Sequence, residues 1–389
     1  MRPLTSIQGD SLVLPGWVSA HSHAFQYGLR GHTQRATAET GTFWSWRDAM
    51  FAAADALTPE SLAVVSRAAF RALRRSGVTC VGEFHYVHHQ RGGEPYAQRT
   101  LLADVVIDAA LAEGLRVTLL RVAYARAGEG RPPEGAQRRF SDGDPDDVLR
   151  DLDALRARWG SEPRVKLGVA PHSVRAVPRG WLGPLHEYAT RYAMPFHMHV
   201  AEVTGEVESC LAEHGRRPVE LLADEGVLDA RFVAVHATNV EAHEARLMGE
   251  VGAFACLCPT TERDLGDGLA DIAALRSAGV RLCVGIDSHV VTDPVEEMRA
   301  LETHERLRLR RRVTSAGAEG RTLAEQLLVE GSAHGALACG WDAAVRGRET
   351  TWDADTVIDL GAAPLRGVAP ERALDALVFS GHPGCVRRS

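Results

Sequence analysis

The sequence lacks the features that mark membrane, secreted and nucleic-acid-binding proteins. No uncharged apolar run reaches the roughly 18 residues that a membrane-spanning helix needs. The N-terminal segment MRPLTSIQGD contains no apolar core of a signal peptide. A formal net charge of −7 argues against nucleic acid or an anionic membrane surface as the main partner. These absences predict a cytoplasmic protein that binds neither nucleic acid nor membrane.

Cysteine is scarce as well, with seven residues scattered along the chain and no CxxC pair. The odd number and the scattering argue against a disulfide framework and fit a reducing compartment. Cys256 and Cys258 are close enough in sequence to bind a soft metal, but they end the apolar run Val251–Cys258. We therefore expect both to pack as small side chains of a buried strand.

Short apolar runs alternate with longer amphipathic segments, which is typical of α/β proteins. The predicted strands are Leu12–Ala20, Val78–Phe84, Arg116–Tyr124, Arg164–Pro171, Pro195–Ala201, Arg231–Ala237, Gly252–Cys258 and Val280–Ile286. The predicted helices are Leu62–Arg75, Pro95–Glu113, Asp146–Trp159, Gly205–Glu225, Glu241–Glu250 and Pro294–Arg312. Further along, Asp355–Leu360 and Ala376–Phe379 also have the pattern of strands.

Eight strands separated by helices fit either a (β/α)8 barrel or a doubly wound sheet. The positions of polar residues favour the barrel, because the catalytic groups of a barrel gather at the C-terminal ends of its strands. Such residues follow the apolar runs at His21, His23, Glu83, His172, His199, His236 and Asp287. We therefore predict a (β/α)8 TIM-type barrel.

Two predicted loops are longer than a barrel needs. Gly28–Met50 contains the sequence Phe43-Trp44-Ser45-Trp46-Arg47 and is predicted to form a lid or a wall of the substrate site. Gly128–Asp144 is rich in glycine, proline and charge, and is predicted to be a mobile surface loop.

Histidines and carboxylates at four strand ends predict a metal site. Two histidines at alternate positions of a strand can face the same point, although an isolated pair of this kind is often satisfied by backbone groups. Three imidazoles and a carboxylate suit Zn²⁺, which keeps a position for water in catalytic sites. The elements are, in chain order, His21-Ser22-His23, His199 with Glu202, His236, and Asp287.

This order of elements resembles the amidohydrolase superfamily and, more narrowly, its N-formimino-L-glutamate deiminases. The resemblance covers roughly residues 14 to 340, and the HxH and HxxE elements are common to the whole superfamily. More specific are Phe43-Trp44-Ser45-Trp46-Arg47, Gly82-Glu83-Phe84-His85-Tyr86-Val87-His88-His89 and Ala170-Pro171-His172-Ser173-Val174-Arg175. Further matching stretches are Gly215–Pro218, Thr260–Glu262, Leu265–Gly268, Asp287–His289 and Asp293–Glu297.

The resemblance implies a role for each matching residue. It implies one Zn²⁺ per chain, or a similar divalent transition metal, held by His21, His23, His199 and Asp287. It implies that proton transfer and polarisation of the attacking water fall to Glu202, His236 and Asp287. It implies substrate contacts from Gln26, Arg47, Tyr86, His172 and Arg175. The implied architecture is a barrel over residues 14–340, with a small truncated β-sandwich from residues 1–13 and 341–389, in a homodimer.

The reaction that the resemblance implies is hydrolytic deimination of N-formimino-L-glutamate to N-formyl-L-glutamate and ammonia, in histidine breakdown. The residue types suit this reaction. A formimino group has an electrophilic carbon that a zinc-activated water can attack. The small anionic substrate carries two carboxylates, which arginine binds through its planar fork, and Arg47 and Arg175 are the candidates.

Other residues are predicted to have supporting roles. His85, His88 and His89 fit hydrogen bonding better than a second metal site. Lys166, the only lysine, lies inside a predicted strand rather than at its end, which favours a single-metal site. Ser22 and Ser288 have no general base at a spacing that defines a nucleophile.

Two alternatives stay open. The first is another superfamily deaminase that acts on a nucleobase or a related amidine; it would share the metal ligands but surround a planar base with aromatic and amide groups. The second is a catalytically silent barrel that only binds a ligand, against which the complete set of predicted metal ligands and Glu202 argue.

Overall fold

Eight parallel strands, hydrogen-bonded in sequence order, form the centre of the computed structural model. The first and last strands meet through a parallel bridge between Ser22 and Asp287. There the Asp287 amide donates to the carbonyl of His21 at 3.0 Å, and the His23 amide donates to the carbonyl of Asp287 at 3.0 Å. The sheet therefore closes on itself, and the predicted (β/α)8 barrel is confirmed.

The structure describes residues 4–34, 43–314, 320–342, 345–346, 351–352 and 354–387. Its strands are β1 (Ser6–Gln8), β2 (Ser11–Pro15), β3 (Trp17–Ser22), β4 (Val78–His85), β5 (Arg116–Ala123), β6 (Val165–Pro171), β7 (Phe196–Val200), β8 (Phe232–His236), β9 (Phe254–Leu257), β10 (Arg281–Val284), β11 (Val345–Arg346), β12 (Thr351–Trp352) and β13 (Asp355–Asp359). The strands β3 to β10 make up the barrel.

Helices follow most barrel strands and pack around the sheet. They are α1 (Phe43–Asp55), α2 (Pro59–Arg75), α3 (Leu101–Ala112), α4 (Pro145–Trp159), α5 (Arg179–Arg191), α6 (Thr204–His214), α7 (Pro218–Asp224), α8 (Ala242–Glu250), α9 (Pro259–Leu265), α10 (Ile272–Ser277), α11 (Pro294–Leu309), α12 (Leu323–Val329), α13 (Gly335–Ala338) and α14 (Ala373–Ser380). No helix of the described ranges has both the length and the apolar character needed to cross a bilayer.

Segments that precede and follow the barrel in sequence form a second, three-stranded antiparallel sheet in the order β1-β2-β13. This sheet corresponds to the small domain that the resemblance implies. The single predicted strand Leu12–Ala20 is wrong, because the chain divides at Gly16 into β2 in the small sheet and β3 in the barrel. A Cβ on Gly16 would lie 2.5 Å from the side chain of Thr79, so only glycine fits where the chain passes between the sheets. The predicted domain limits at residues 14 and 340 stay a prediction.

Three other element predictions need correction. The predicted helix Gly205–Glu225 is two helices, α6 and α7, because Gly215 adopts a left-handed φ of 65° that ends the first one. The predicted helix Pro95–Glu113 begins only at Leu101. The predicted strand Ala376–Phe379 belongs to α14, since a short apolar run does not distinguish a strand from a buried helix.

The second half of the long loop Gly128–Asp144 is not a mobile surface segment. It contains a 3-10 helix over Gly135–Arg139, and the side chains of Arg139 and Phe140 are fully buried. The Arg139 Nε donates to the carbonyl of His89 at 3.0 Å. Burying a guanidinium requires partners of this kind, so the loop is anchored to the barrel.

Helix α2 begins with a capping residue, Thr58. Thr58 Oγ1 accepts a hydrogen bond from the Ser61 amide at 3.2 Å, and Ser61 Oγ accepts one from the Thr58 amide at 2.8 Å. Thr58→Ala removes one half of this reciprocal pair, so the free energy of unfolding should fall by about 1 kcal/mol. Urea-induced unfolding measures the change, with Thr58→Ser as the matched control that keeps the hydroxyl. Equal stability of the alanine and serine variants would contradict the capping role.

Candidate active site

Three histidine side chains from two strands converge at the C-terminal end of the barrel. His21 and His23 come from the end of β3 and His199 from β7, and all three are buried. The Nε2 atom of His21 lies 3.1 Å from that of His23 and 3.2 Å from that of His199. Three ring nitrogens this close can together act as ligands of one metal ion.

Backbone carbonyls orient two of these rings. The Nδ1 atom of His23 lies 3.0 Å from the carbonyl oxygen of Phe84, and Nδ1 of His199 lies 3.0 Å from that of His172. A carbonyl only accepts, so each Nδ1 carries the hydrogen and each Nε2 keeps its lone pair. Burial lowers the pKa of His21 to about 3 and lowers the pKa values of His23 and His199. Neutral rings that point lone pairs at one another fit a bound cation.

Asp287 brings a carboxylate to the same point. Its Oδ1 lies 3.3 Å from Nε2 of His23 and 3.4 Å from Nε2 of His21. Burial raises its pKa, but the hydrogen bond to His21 and the nearby histidines hold it well below the usual range. Asp287 has a φ of 54°, in the left-handed region that residues other than glycine rarely adopt. Such strain is often found where a side chain is held for a function.

His236 and two glutamates form a second polar group beside the metal ligands. The Nε2 of His236 lies 3.5 Å from Oε1 of Glu202 and 3.8 Å from Oδ2 of Asp287. Its Nδ1 lies 3.3 Å from Oε1 of Glu262, which also accepts a hydrogen bond from the Cys258 amide at 2.7 Å. Burial alone would lower the pKa of His236, but Glu202 and the hydrogen bond to Glu262 raise it to about 10. A cationic imidazole next to a buried carboxylate can hold and pass on protons.

The five predicted substrate residues line one cavity together with members of both polar groups. Its lining includes Gln26, Arg47, Tyr86, His172 and Arg175, together with His23, His199, Glu202, His236 and Asp287. Gln26 Nε2 donates to the Tyr86 hydroxyl at 3.0 Å. Burial, followed by the charge of Arg175, lowers the pKa of Arg47, so the two guanidiniums lie near each other. Two like charges at one cavity favour an anionic ligand.

The sequence Phe43-Trp44-Ser45-Trp46-Arg47 lies in helix α1 rather than in a loop. Trp46, Arg47, Met50 and Phe51 of this helix line the cavity, so the predicted substrate wall is helical. Positions 35–42 of the predicted loop lie outside the described residues.

Glu83 supports the histidine pair from the neighbouring strand. Its Oε2 accepts a hydrogen bond from Ser22 Oγ at 2.7 Å, and its Oε1 accepts one from the Ala24 amide at 2.7 Å. Ser22 Oγ also lies 2.9 Å from Nε2 of His289. These contacts fix the backbone on both sides of His23, and they give Ser22 a structural role in place of a nucleophilic one.

Lys166, His88 and His89 have other surroundings in the structure. Lys166 is exposed on β6. His88 Nε2 lies 2.9 Å from the carbonyl of Val122, and His89 Nε2 lies 3.0 Å from that of Ser141, so both rings bind backbone. Cys258 is buried, as expected for a strand residue, but its Sγ also lies within 4.8 Å of ligand atoms of His236 and Asp287.

Several residues of the site were not predicted from the sequence. Glu262 lies in the matching stretch Thr260–Glu262, and its position four residues after the predicted strand Gly252–Cys258 is a signal that could have indicated its role. Tyr124 carried the weaker signal of a polar aromatic residue at a predicted strand end. Trp46 and Met50 line the cavity and belong to the predicted wall Gly28–Met50, whereas the unpredicted cavity residues are Phe51, Tyr124, Phe140 and Leu265.

Comparison with known sequences places this site in a family. The model of the amidohydrolase family matches residues 12–384. The chain belongs to the amidohydrolase family.

Among curated relatives, the formimidoylglutamate deiminase of Pseudomonas aeruginosa is 39% identical over 301 residues. That match covers 77% of this chain and 66% of the relative, just under two thirds of its length. The 8-oxoguanine deaminase of the same organism is 28% identical over 373 residues, which are 95% of this chain and 74% of that protein.

Solved structures agree on the fold. An amidohydrolase from Brucella melitensis superposes with a TM-score of 0.86 at 33% identity, covering 98% of this chain and 90% of that one. An adenosine deaminase from Xanthomonas campestris with bound zinc has a TM-score of 0.79 at 23% identity, covering 97% and 78% of the two chains. At that identity the second likeness concerns the fold alone.

Proposed function

We propose that this protein is a metal-dependent hydrolase that converts N-formimino-L-glutamate and water to N-formyl-L-glutamate and ammonia. The observation that carries the proposal is the placement of two arginines, Arg47 and Arg175, in the same cavity as the histidine cluster and Glu202. The arginines suit the two carboxylates of the substrate, and the buried acid–base group suits hydrolysis of its formimino carbon. The similarity to formimidoylglutamate deiminase supports the same substrate.

The proposed metal is one Zn²⁺ per chain, held by His21, His23, His199 and Asp287. When bound in such a site, zinc lowers the pKa of water and polarises the group under attack. The ligands fit this ion because two neutral rings and an ionised carboxylate from the strand ends converge on His21. Their buried lone pairs need a cation to offset their mutual repulsion.

The proton transfers are assigned to the residues beside these ligands. Water adds to the formimino carbon, and Asp287 accepts the proton that the water loses. As water adds, Glu202 gives its proton to the terminal nitrogen of the substrate. The proton held by Asp287 then passes to the same nitrogen while Glu202 takes back the hydroxyl proton, so the carbon–nitrogen bond breaks, ammonia leaves and the formyl carbonyl forms. His236 lies 3.5 Å from Glu202, and its positive charge stabilises the negative charge of the tetrahedral centre. Glu262 acts through His236 by holding its Nδ1 hydrogen.

The metal proposal makes a direct prediction of stoichiometry. Elemental analysis of the purified protein should find one divalent ion per chain, and dialysis against a strong chelator should remove both the ion and the activity. His199→Asn should lower the metal content to less than about a tenth, because one of three imidazole ligands is lost. His243→Asn, on the partly exposed face of α8, is the matched control and should keep the metal. Two tightly bound ions, or none in folded active protein, would refute the single-metal site.

The substrate proposal is tested by coupled detection of ammonia with N-formimino-L-glutamate as substrate. A second candidate, deamination of a nucleobase, is favoured by the similarity to 8-oxoguanine deaminase. The same assay with 8-oxoguanine, guanine and cytosine separates the two. Turnover of a base without turnover of formiminoglutamate would overturn the proposal, and a metal-loaded protein that acts on neither would indicate a silent binding barrel.

A further inference from the structure

Tyr124 directly follows strand β5 and reaches the cavity from the side of the anchored loop. Its side chain is 6% exposed. Its ring meets that of His172 edge-on, with centroids 5.0 Å apart, and lies 5.9 Å from the ring of Phe140. These contacts hold the phenol ring in one orientation, and only the direction of its hydroxyl proton is left to be set.

Gln137 determines that direction. The Gln137 side-chain oxygen Oε1 accepts a hydrogen bond from the Glu134 amide at 3.0 Å. A backbone N–H only donates, so this contact fixes which end of the Gln137 amide is oxygen and which is nitrogen. The nitrogen Nε2 therefore faces Tyr124 and donates to its hydroxyl oxygen at 2.8 Å. The hydroxyl is an acceptor in this pair, and its own proton stays available for another partner.

The surroundings of Gln137 hold its side-chain amide in this orientation, with Nε2 toward Tyr124. Gln137 is 5% exposed and lies in the 3-10 helix Gly135–Arg139. The next residues, Arg139 and Phe140, are fully buried, and Arg139 is hydrogen-bonded to the carbonyl of His89. The buried second half of the loop Gly128–Asp144 thus holds Gln137 against the hydroxyl of Tyr124. This contact gives a reason why a loop rich in glycine and charge is packed against the barrel.

Nothing else in the described part of the chain accepts the Tyr124 proton. Among the described residues, the one hydrogen bond of its hydroxyl is the one that it accepts from Gln137. Arg47 and Arg175 line the same cavity as Tyr124. Burial raises the pKa of the phenol, and the charges of Arg175 and Arg47 oppose that rise. The hydroxyl proton of Tyr124 and the two guanidiniums are all hydrogen-bond donors at this cavity. The ligand that suits such a group is acceptor-only and negative, as a carboxylate is.

We propose that Tyr124 is a substrate-binding residue that donates a hydrogen bond to one of the two substrate carboxylates that Arg47 and Arg175 bind, and that Gln137 is its positioning residue. This inference deepens the proposed function and rests on it for the identity of the substrate. The Tyr124 hydroxyl is a neutral, directional donor beside the two charged guanidiniums. The hydroxyl therefore distinguishes a carboxylate from a group that would itself donate at the same place.

The first test removes the hydroxyl. Tyr124→Phe should lower kcat/KM for N-formimino-L-glutamate about 10- to 100-fold, the range for a lost hydrogen bond to a charged group. Most of the loss should be in KM, because the carboxylate lies away from the reacting carbon and is bound equally in the ground and transition states. With N-methylformamidine, which has no carboxylate, the loss should be less than about threefold. Tyr188→Phe removes a phenol hydroxyl bonded to Asp153 on the outside of the barrel and is the matched control.

The second test reverses the polarity at Gln137. In Gln137→Glu one carboxylate oxygen still accepts from the Glu134 amide, but the other can only accept from Tyr124, which turns the phenol proton away from the cavity. The variant should therefore raise KM for formiminoglutamate. The same change in the Tyr124→Phe background should cost at least fivefold less, because no hydroxyl is left to orient. An equal rise in KM in both backgrounds would mean that Gln137→Glu acts through its new charge or through a change in the loop, and not through the Tyr124 hydroxyl.

Direct binding separates this inference from the proposed function. Isothermal titration with glutarate, a dicarboxylate that cannot react, should give a dissociation constant about 10- to 100-fold weaker for Tyr124→Phe than for the wild type. If the wild type binds glutarate but does not turn over formiminoglutamate, the proposed reaction fails and the carboxylate site stands. If Tyr124→Phe binds glutarate as tightly as the wild type, or if the wild type does not bind it, the role of Tyr124 is overturned.

Discussion

Glu202→Gln should retain the fold and the bound metal and lose about 10²- to 10⁴-fold in kcat, the usual contribution of a general acid–base group. Glutamine has nearly the same shape but cannot take up and release a proton. Burial raises the pKa of Glu202, although the nearby charge of His236 opposes this rise. A raised pKa favours the protonated form of this carboxyl group, which a proton donor needs.

The measurement is steady-state turnover of N-formimino-L-glutamate together with metal content and circular dichroism of each variant. Glu208→Gln, an exposed residue of helix α6, is the matched control and should behave as the wild type. A Glu202→Gln variant that keeps its metal and more than about a tenth of the wild-type kcat would show that another group moves the proton. A variant that loses the metal instead would show that Glu202 acts on the ligands of the ion.

The barrel and the position of its site could be predicted because both follow from local sequence signals. Apolar runs separated by amphipathic helices indicate a parallel sheet, and the C-terminal ends of such strands meet at one face. His21, His199 and Asp287 each lie at or just beyond a strand end. Their meeting within 3.4 Å in the structure is therefore a consequence of topology.

Contacts that depend on how distant segments pack could not be predicted in the same way. Glu262 looks like an ordinary acidic residue in the first turn of α9, and only the fold brings it to Nδ1 of His236, 26 positions away. Tyr124 depends on Gln137, which lies in a segment whose glycines, prolines and charges predict a mobile loop. The buried guanidinium of Arg139 overrides that composition, and a single sequence gives no sign that it is buried.

Element boundaries were wrong where tertiary structure overrides local pattern. The apolar run Leu12–Ala20 satisfies the pattern of one strand, yet its two halves belong to different sheets that require the chain to turn at Gly16. Leu377 and Val378 are buried in α14, where a short apolar run fits a helix as well as a strand. These errors lie in the small sheet and the outer helices, and they leave the residues of the site unaffected.

Arg47→Met and Arg175→Met should each reduce kcat/KM for N-formimino-L-glutamate by about 2–5 kcal/mol in transition-state stabilisation, because each leaves a buried carboxylate of the substrate without its cation. Methionine keeps much of the length and apolar stem of arginine and removes the charge. Lysine at either position should restore only part of the loss, because a point charge lacks the bidentate fork. Arg150→Met, on the exposed face of α4, is the matched control.

Two truncated substrates show which carboxylate each arginine binds. N-formiminoglycine keeps the α-carboxylate and lacks the distal one, whereas N-formimino-4-aminobutyrate keeps the distal carboxylate and lacks the α one. Replacing the arginine that binds the distal carboxylate should reduce kcat/KM little when N-formiminoglycine is the substrate. The same substitution should reduce kcat/KM by the full amount with N-formimino-4-aminobutyrate. Replacing the other arginine should give the opposite pattern. Losses of equal size on all three substrates would mean that Arg47 and Arg175 maintain the shape of the cavity. Opposite patterns for the two variants would instead assign one carboxylate to each guanidinium. A planar nucleobase has no carboxylate and could not be bound in this way.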